Sequence, residues 1–197
     1  GTPLSSLLGW IAILKMENVN DKYVNEIEKD VHRLNTIANR FSKIGSLPKL
    51  KKSDIISATK NAYEYLEFRS SKQISFKFIS NEKELFCNLN EELYEWVIEN
   101  LIKNAIDAML GKGKLTLSIT SENNKVILNI SDTGKGMSKS QFRKIFDPGF
   151  TTKKRGWGLG LSLSQRIIED YHKGKIIVKS SEVNKGTTFQ IILDKVT

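Results

Sequence analysis

The stretch ENLIKNAIDAM, residues 99–109, decides how the rest of the 197-residue chain is read. Its spacing is helical. Leu101, Ile102, Ala105, Ile106 and Met109 fall on one face, while Asn100, Asn104 and Asp107, spaced by four and three, line the other beside Lys103. Asn is a mediocre helix former, and two on one helix face usually mean no more than exposure. Their other use is as neutral oxygen ligands for a hard cation such as Mg²⁺, which needs few protein ligands when phosphates and waters supply the rest.

The surroundings set this helix in an α+β frame. Asn90 followed by two glutamates opens a helix over 91–110, and Gly111 ends it. On its N-terminal side, ISFKFIS (74–80) and ELFCNLN (84–90) alternate as strands, and Ser53-Asp54 can cap a helix running to about Ser70. On its C-terminal side, KLTLSIT (114–120) and KVILNIS (125–131) form a hairpin around SENN. Helices over 138–146 and 159–172 and strands over 175–181 and 187–193 complete the chain. Strands and helices mix without a regular βαβ repeat, which predicts an α+β sandwich with one sheet covered by helices.

The first fifty residues follow a different pattern. Leu4, Leu7, Leu8, Ile11 and Leu14 form one helical stripe. Val24, Ile27, Val31, Leu34, Ala38 and Phe41 form a second, with the alternating three-and-four spacing of a heptad seam. Two such helices bury two stripes poorly unless the hairpin pairs with a copy of itself as a four-helix bundle; packing on the chain's own globular domain is the other solution. Gly45, Ser46 and Pro48, with lysines after them, mark a linker. The expected organisation is a helical hairpin over 1–46, a linker over 47–52 and a globular domain over 53–197.

Composition narrows the function classes. The net charge is +9, but the lysines are scattered, with KLKK (49–52) and TTKKR (151–155) the densest clusters and no interleaved aromatics. A solvated basic surface is expected, not a nucleic-acid face. The apolar run Leu7 to Leu14 is far too short to cross a bilayer, so no membrane contact is expected of this fragment. The single Cys87 excludes an internal disulfide framework.

Two further stretches carry chemistry. In ISDTGKGM (130–137) a carboxylate at a strand end precedes Gly-x-Gly, an acceptor beside backbone that a flat ligand can approach; Asp132 suits an exocyclic amine such as that of adenine. The same Asp-Thr-Gly triplet is the aspartic-protease signature, but that chemistry needs two carboxylates and this chain has one such triplet. In FDPGFTTKKRGWGLGLSLS (146–164), glycines run directly into a helix, which is the physics of phosphate binding. Neither the P-loop nor the dinucleotide spacing is met, and Thr151, Thr152, Lys153, Lys154 and Arg155 instead suggest a basic lid.

Taken in order, ENLIKNAIDAM, SDTGKGM, IFDPGFTTK and GWGLGLSLS resemble the N, G1, F and G2 boxes of sensor histidine kinases of two-component systems, whose catalytic domain is an ATPase fold of the GHKL type. KGTTF (185–189) is similar to that family's last strand. The resemblance implies an ATP-binding domain preceded by half of a dimeric four-helix bundle. It implies that Asn104, with Asn100, holds Mg²⁺ and that Asp132 reads adenine. Gly134, Gly136 and Met137 would shape the base pocket, and Thr187 would lie at its adenine end. Thr151, Thr152, Lys153, Gly156, Gly158, Leu159, Gly160 and Leu161 would form the lid and phosphate contacts, with Lys103 and Asp107 beside them. Asp107 departs from the basic residue that many relatives have there, and Trp157 is an unusually bulky lid residue.

The family's acceptor stretch is His-Glu-x-x-Thr-Pro-Leu, and this sequence has TPLSSLL from Thr2 onward. The resemblance therefore implies a fragment that starts just after its acceptor and lacks autophosphorylation, with Thr2 at a position relatives use in dephosphorylation. Its expected partners are a second copy of itself and the receiver domain of a response regulator. A bacterial cytoplasmic setting is implied, compatible with a membrane anchor in the full-length protein. His32 and His172 are weak candidates for an acceptor. The alternatives are an ATPase of the GHKL type and a non-catalytic nucleotide-sensing dimer. The former places a Glu four residues before the Mg²⁺-binding Asn, where this chain has Asn100.

Overall fold

The computed structural model describes residues 3–16, 24, 25, 27, 28, 31, 48–153 and 157–196. They fall into two compact units, residues 1–48 and 49–197.

In the first unit, helix α1 (Pro3–Met16) buries Ile11 together with Val24 and Val31, and Leu8 and Leu14 pack on the cluster. Lys15 pairs with Glu28 at 2.6 Å. The two stripes read from the sequence are not wholly inward. Leu7 and Ile27 are exposed, and so are Trp10 and Ile13. The remainder of the expected second helix, with Leu34, Ala38 and Phe41, lies outside the described residues.

The second unit is an α+β sandwich. Strand β1 (Lys51–Asp54) pairs antiparallel with β3 (Phe86–Leu89) as a small two-stranded sheet, so Lys51 and Lys52, read as linker, belong to a strand. The main sheet is formed by β2 (Ile74–Ser80), β4 (Gly113–Glu122), β5 (Lys125–Asp132), β7 (Gly186–Asp194) and β6 (Lys175–Glu182), in the order β2-β4-β5-β7-β6. Only β2 and β4 run parallel. Alternation along the central strands sends Leu115, Leu117, Ile119, Val126, Leu128 and Ile130 to the face that the helices cover.

Helix α2 (Ile55–Arg69) starts where Asp54 accepts hydrogen bonds from the N–H groups of Ile56 and Ser57, the cap expected from the sequence. Helix α3 (Glu91–Met109) is the centre of the core. It starts at Asn90, whose Oδ1 accepts from the Leu93 N–H at 3.1 Å. Leu93, Tyr94, Val97, Ile98, Leu101, Ile102, Ala105 and Met109 are buried. Each large aliphatic side chain so buried contributes on the order of 2 kcal/mol. Tyr94 brings a polar end into this core and satisfies it on Thr59 of α2, at 2.7 Å. The helix ends at Met109, two residues before Gly111, with Leu110 as its cap in the left-handed region.

The hairpin turn between β4 and β5 is Asn123-Asn124, both at positive φ, the two-residue turn whose twist matches antiparallel strands. Two helices are shorter than their sequence patterns. Over 138–146 only α4 (Gln141–Lys144) is helical, because the Gln141 side chain accepts from the N–H of Ser138 and turns the chain there. Over 159–172, helix α5 (Gly160–Arg166) passes into a π-helical turn, Ile167–Tyr171. The Ile167 carbonyl accepts both the His172 N–H, at 3.1 Å, and the His172 Nδ1–H, at 2.8 Å, which widens the turn.

Candidate functional site

Asp132 ends β5 and is 8% exposed. Its Oδ1 accepts the Gly134 N–H at 2.7 Å, and the Thr187 backbone also donates to the carboxylate. Burial pushes its pKa above the ordinary carboxylate value, against the lowering effect of those two backbone bonds. Thr187 stands directly across from Asp132 in the β5–β7 ladder, so both side chains share the helix-covered face.

The loop after Asp132 is clamped from two sides. The Lys135 N–H donates to the Ala108 carbonyl at the end of α3, at 3.0 Å. The Asn184 N–H, in the β6–β7 turn, donates to the Lys135 carbonyl at 2.8 Å. Between these anchors Gly136 has φ +59, and a Cβ there would lie 1.9 Å from the Glu182 carbonyl oxygen; only glycine fits. Met137 follows, packed against the core, with its N–H donating to Ser181 Oγ at 2.9 Å.

The polar face of α3 meets the segment that precedes α5. Lys153 Nζ donates to Asn104 Oδ1 at 2.8 Å and to Asp107 Oδ2 at 2.6 Å, so a cation bridges two oxygens one turn apart. Lys135 Nζ donates to Thr152 Oγ1 at 3.1 Å, tying the same segment to the glycine loop. Thr151 Oγ1 accepts the Lys153 N–H. The Gly149 N–H donates to the Gly158 carbonyl at 3.0 Å, closing the base of this excursion. Asn100 faces α5: its Nδ2 donates to Ser164 Oγ at 2.9 Å, and its Oδ1 lies so close to Gly160 that a Cβ there would be 2.6 Å away. Leu159 stands at the head of α5, and Leu161 packs on the core.

The structure thus groups Asn104, Asp107 and Lys153 at one place and Asp132, Gly134, Gly136, Met137 and Thr187 at another. Lys103 joins neither group; it pairs with Glu99 at 2.6 Å. Trp157 is 70% exposed. Thr2, His32, Lys154, Arg155 and Gly156 lie outside the described residues. His172 has both ring nitrogens engaged within the fold. It is buried, with Nε2 accepting the Asn90 N–H at 3.0 Å and Nδ1 on Ile167, and burial lowers its pKa. It joins the start of α3 to the end of the π turn.

Ser181 and Lys135 are the residues that sequence reasoning missed. Lys135 sits inside the quoted SDTGKGM, so its place beside the glycines was a usable signal. Ser181 had none, because strand alternation from Ile176 and Val178 assigns Ser180, and not Ser181, to the inner face.

Residues 90–197 match the family described as histidine kinase-, DNA gyrase B-, and HSP90-like ATPase. The signal transduction histidine-protein kinase AtoS of Escherichia coli is 32% identical over 97% of this chain and 32% of its own length. The chain spans about a quarter to a third of the curated relatives it matches first. The catalytic domain of histidine kinase ThkA superposes with a TM-score of 0.69 at 31% identity, covering 75% of this chain and 97% of that one. ThkA in complex with the response regulator protein TrrA gives 0.71 at 27% identity, over 99% of this chain and 58% of that one.

Proposed function

The chain belongs to the histidine kinase-, DNA gyrase B- and HSP90-like ATPase family and carries the ATP-binding catalytic domain of sensor histidine kinases, and on that premise we propose that it is a kinase core moving the γ-phosphoryl of ATP to a histidine and thence to a response-regulator aspartate. The observation that carries this reading is Asp132, a buried carboxylate at a strand end beside a glycine loop that admits no Cβ at Gly136. In the proposal Asp132 accepts the adenine 6-amino group, with Thr187 next to it. Met137 and the glycine loop form the wall of the base site, and the segment over 151–161 covers the phosphates.

The residues present suit a magnesium ion. Asn104 Oδ1 and Asp107 Oδ2 already hold one cation, the Lys153 ammonium, and amide and carboxylate oxygens are the hard donors that Mg²⁺ takes. Asn104, with Asn100 and Asp107 beside it, would hold the ion, which when bound neutralises phosphate charge. With the ion in that place, Lys153 would be the cation available to the phosphates. The catalytic work assigned to the chain is positioning and charge complementarity, which dominate phosphoryl transfer.

Hydrolysis to water is the second reading, and the α3 side chains count against it. Asn100 occupies the place of the water-activating Glu, and Glu99 is committed to Lys103. A second copy of the chain is the proposed bundle partner. The apolar Leu7, Trp10 and Ile13 exposed on α1 suit such pairing. The receiver domain is proposed by analogy with ThkA and TrrA.

The test uses radiolabelled ATP. A variant with a His-Glu acceptor stretch placed ahead of Thr2 is expected to acquire base-stable, acid-labile phosphate, while the chain without it acquires none. In both, Asn104→Ala should abolish the Mg²⁺-dependent part of ATP affinity and spare metal-free ADP binding. Rapid phosphate release with no labelled protein in either chain would replace the kinase with an ATPase. Equal affinity for ATP and GTP would remove the adenine-reading role proposed for Asp132.

A further inference from the structure

Ser181 reaches the site only because strand β6 is irregular. Val178 pairs with Phe189 and Ser180 with Thr188, so one extra residue is inserted into β6. The bulge changes the parity of the strand. Val178 is on the inner face, and Ser181, three residues on, is there too, opposite Thr187. Without it, Ser181 would point with Thr188 to the outer face, where Thr188 bonds Ser131 at 2.9 Å.

Once inside, the Ser181 hydroxyl has three neighbours. It accepts the Met137 N–H at 2.9 Å and lies 3.0 Å from the Gly186 carbonyl oxygen and 2.9 Å from Thr187 Oγ1. A serine hydroxyl has one proton. If that proton goes to Gly186, Thr187 donates its own to Ser181, and all three neighbours are satisfied. If it goes to Thr187, the Gly186 bond is given up and one hydrogen bond is lost. The first arrangement is favoured, and in it the Thr187 hydroxyl offers only lone pairs to anything placed beside it.

We propose that Ser181 sets the purine selectivity of the site by holding the Thr187 hydroxyl as a hydrogen-bond acceptor next to the Asp132 carboxylate. The proposal rests on the nucleotide reading given above. Two acceptors side by side match the two hydrogens of a 6-amino group and repel a 6-oxo group. Ser181 is a positioning residue: it acts through Thr187 and, by its bond to the Met137 N–H, keeps the glycine loop in register with that pair. Replacing Ser181 by alanine frees the Thr187 proton, which can then turn toward a 6-oxo group and donate.

The experiment compares ATP with ITP, which differs at the reading position by carrying 6-oxo and adds no 2-amino group. Calorimetry on the parent chain, Ser181→Ala and Ser181→Thr gives the ATP-over-ITP affinity ratio. The parent should prefer ATP. Ser181→Ala should lower that preference about tenfold, the effect of one hydrogen bond changing sense, and Ser181→Thr should restore it. A merely structural serine would weaken both nucleotides by the same factor and leave the ratio alone; that result overturns the proposal. Ser181→Cys, near in size and weak in hydrogen bonding, must show the same fall in ratio, and serves if the alanine variant does not fold. A parent that binds no ATP would refute the nucleotide reading and this inference together, whereas normal ATP binding with an unchanged ratio would refute this inference alone.

Discussion

Replacing Asp132 by Asn separates what this carboxylate does for a ligand from what it costs the fold. The amide oxygen can still accept the Gly134 N–H, now at 2.7 Å, which keeps the loop, while the Thr187 N–H, the carboxylate's other backbone donor, must share that one oxygen. What disappears is the charge, and an NH₂ group now stands where an acceptor was. A hydrogen bond to a charged group is worth about 1.5–3 kcal/mol, so ATP affinity should fall roughly 10- to 150-fold. Stability should move the other way. Burial raises the Asp132 pKa above the ordinary 3.8, so the folded state holds that proton more tightly than the unfolded chain does. The stability attached to this group is therefore complete at low pH and declines as pH rises from the ordinary value through the folded one. At neutral pH the charge is a net cost that Asn does not carry. ATP binding by the parent should also weaken as pH is lowered into the range of the raised pKa, above where an ordinary aspartate titrates, and the Asn variant should lose this dependence. Fluorescent-nucleotide titration at several pH values, with thermal melts of both proteins, measures all three effects. Unchanged affinity would refute the recognition role. Weakened affinity with a lower Tm would show that Asp132 serves the fold and that the reasoning from its burial is wrong.

Two other perturbations test the frame around the site. Burial holds the His172 pKa below 6.5, so its contribution is full above that value and is lost as pH falls through 6.5 toward the folded value. Denaturant unfolding at pH 5.5 and 7.5 should show the parent losing stability in acid. His172→Phe should lose about 1–3 kcal/mol at pH 7.5, because the Asn90 N–H is left without its acceptor, and should show less acid sensitivity. Gly136→Ala places a methyl against the Glu182 carbonyl at positive φ, and should cost about 1–3 kcal/mol and remove most ATP binding, by melting and titration; a variant as stable and as tight as the parent would mean the loop is not clamped as described.

Much of the fold is local, and local order can be read from sequence. The apolar spacing of residues 93–109 specifies helix α3, and its start at Asn90 needs only a side chain three residues from the N–H it caps. The alternation of β4 and β5 identifies the hairpin, whose turn is set by Asn123 and Asn124. The ordered boxes around Asn104, Asp132 and Gly158 likewise carry their residue types on their face, and the family follows from them. The tertiary structure decided whatever depends on partners distant in sequence. Strand β1 is a strand because β3 lies beside it, not because KKSD is strand-like. Asp132 is buried and raised in pKa only under the helices, and Lys153 meets Asp107 across 46 residues of chain. His172 finds Asn90 across 82 residues, and its bond to Ile167 goes with a widened last turn where periodicity alone would continue the α-helix. Ser181 is the sharpest case. Periodicity counts residues along one strand, but a bulge is an offset between two, so which serine faces Thr187 is defined only when β6 and β7 are paired.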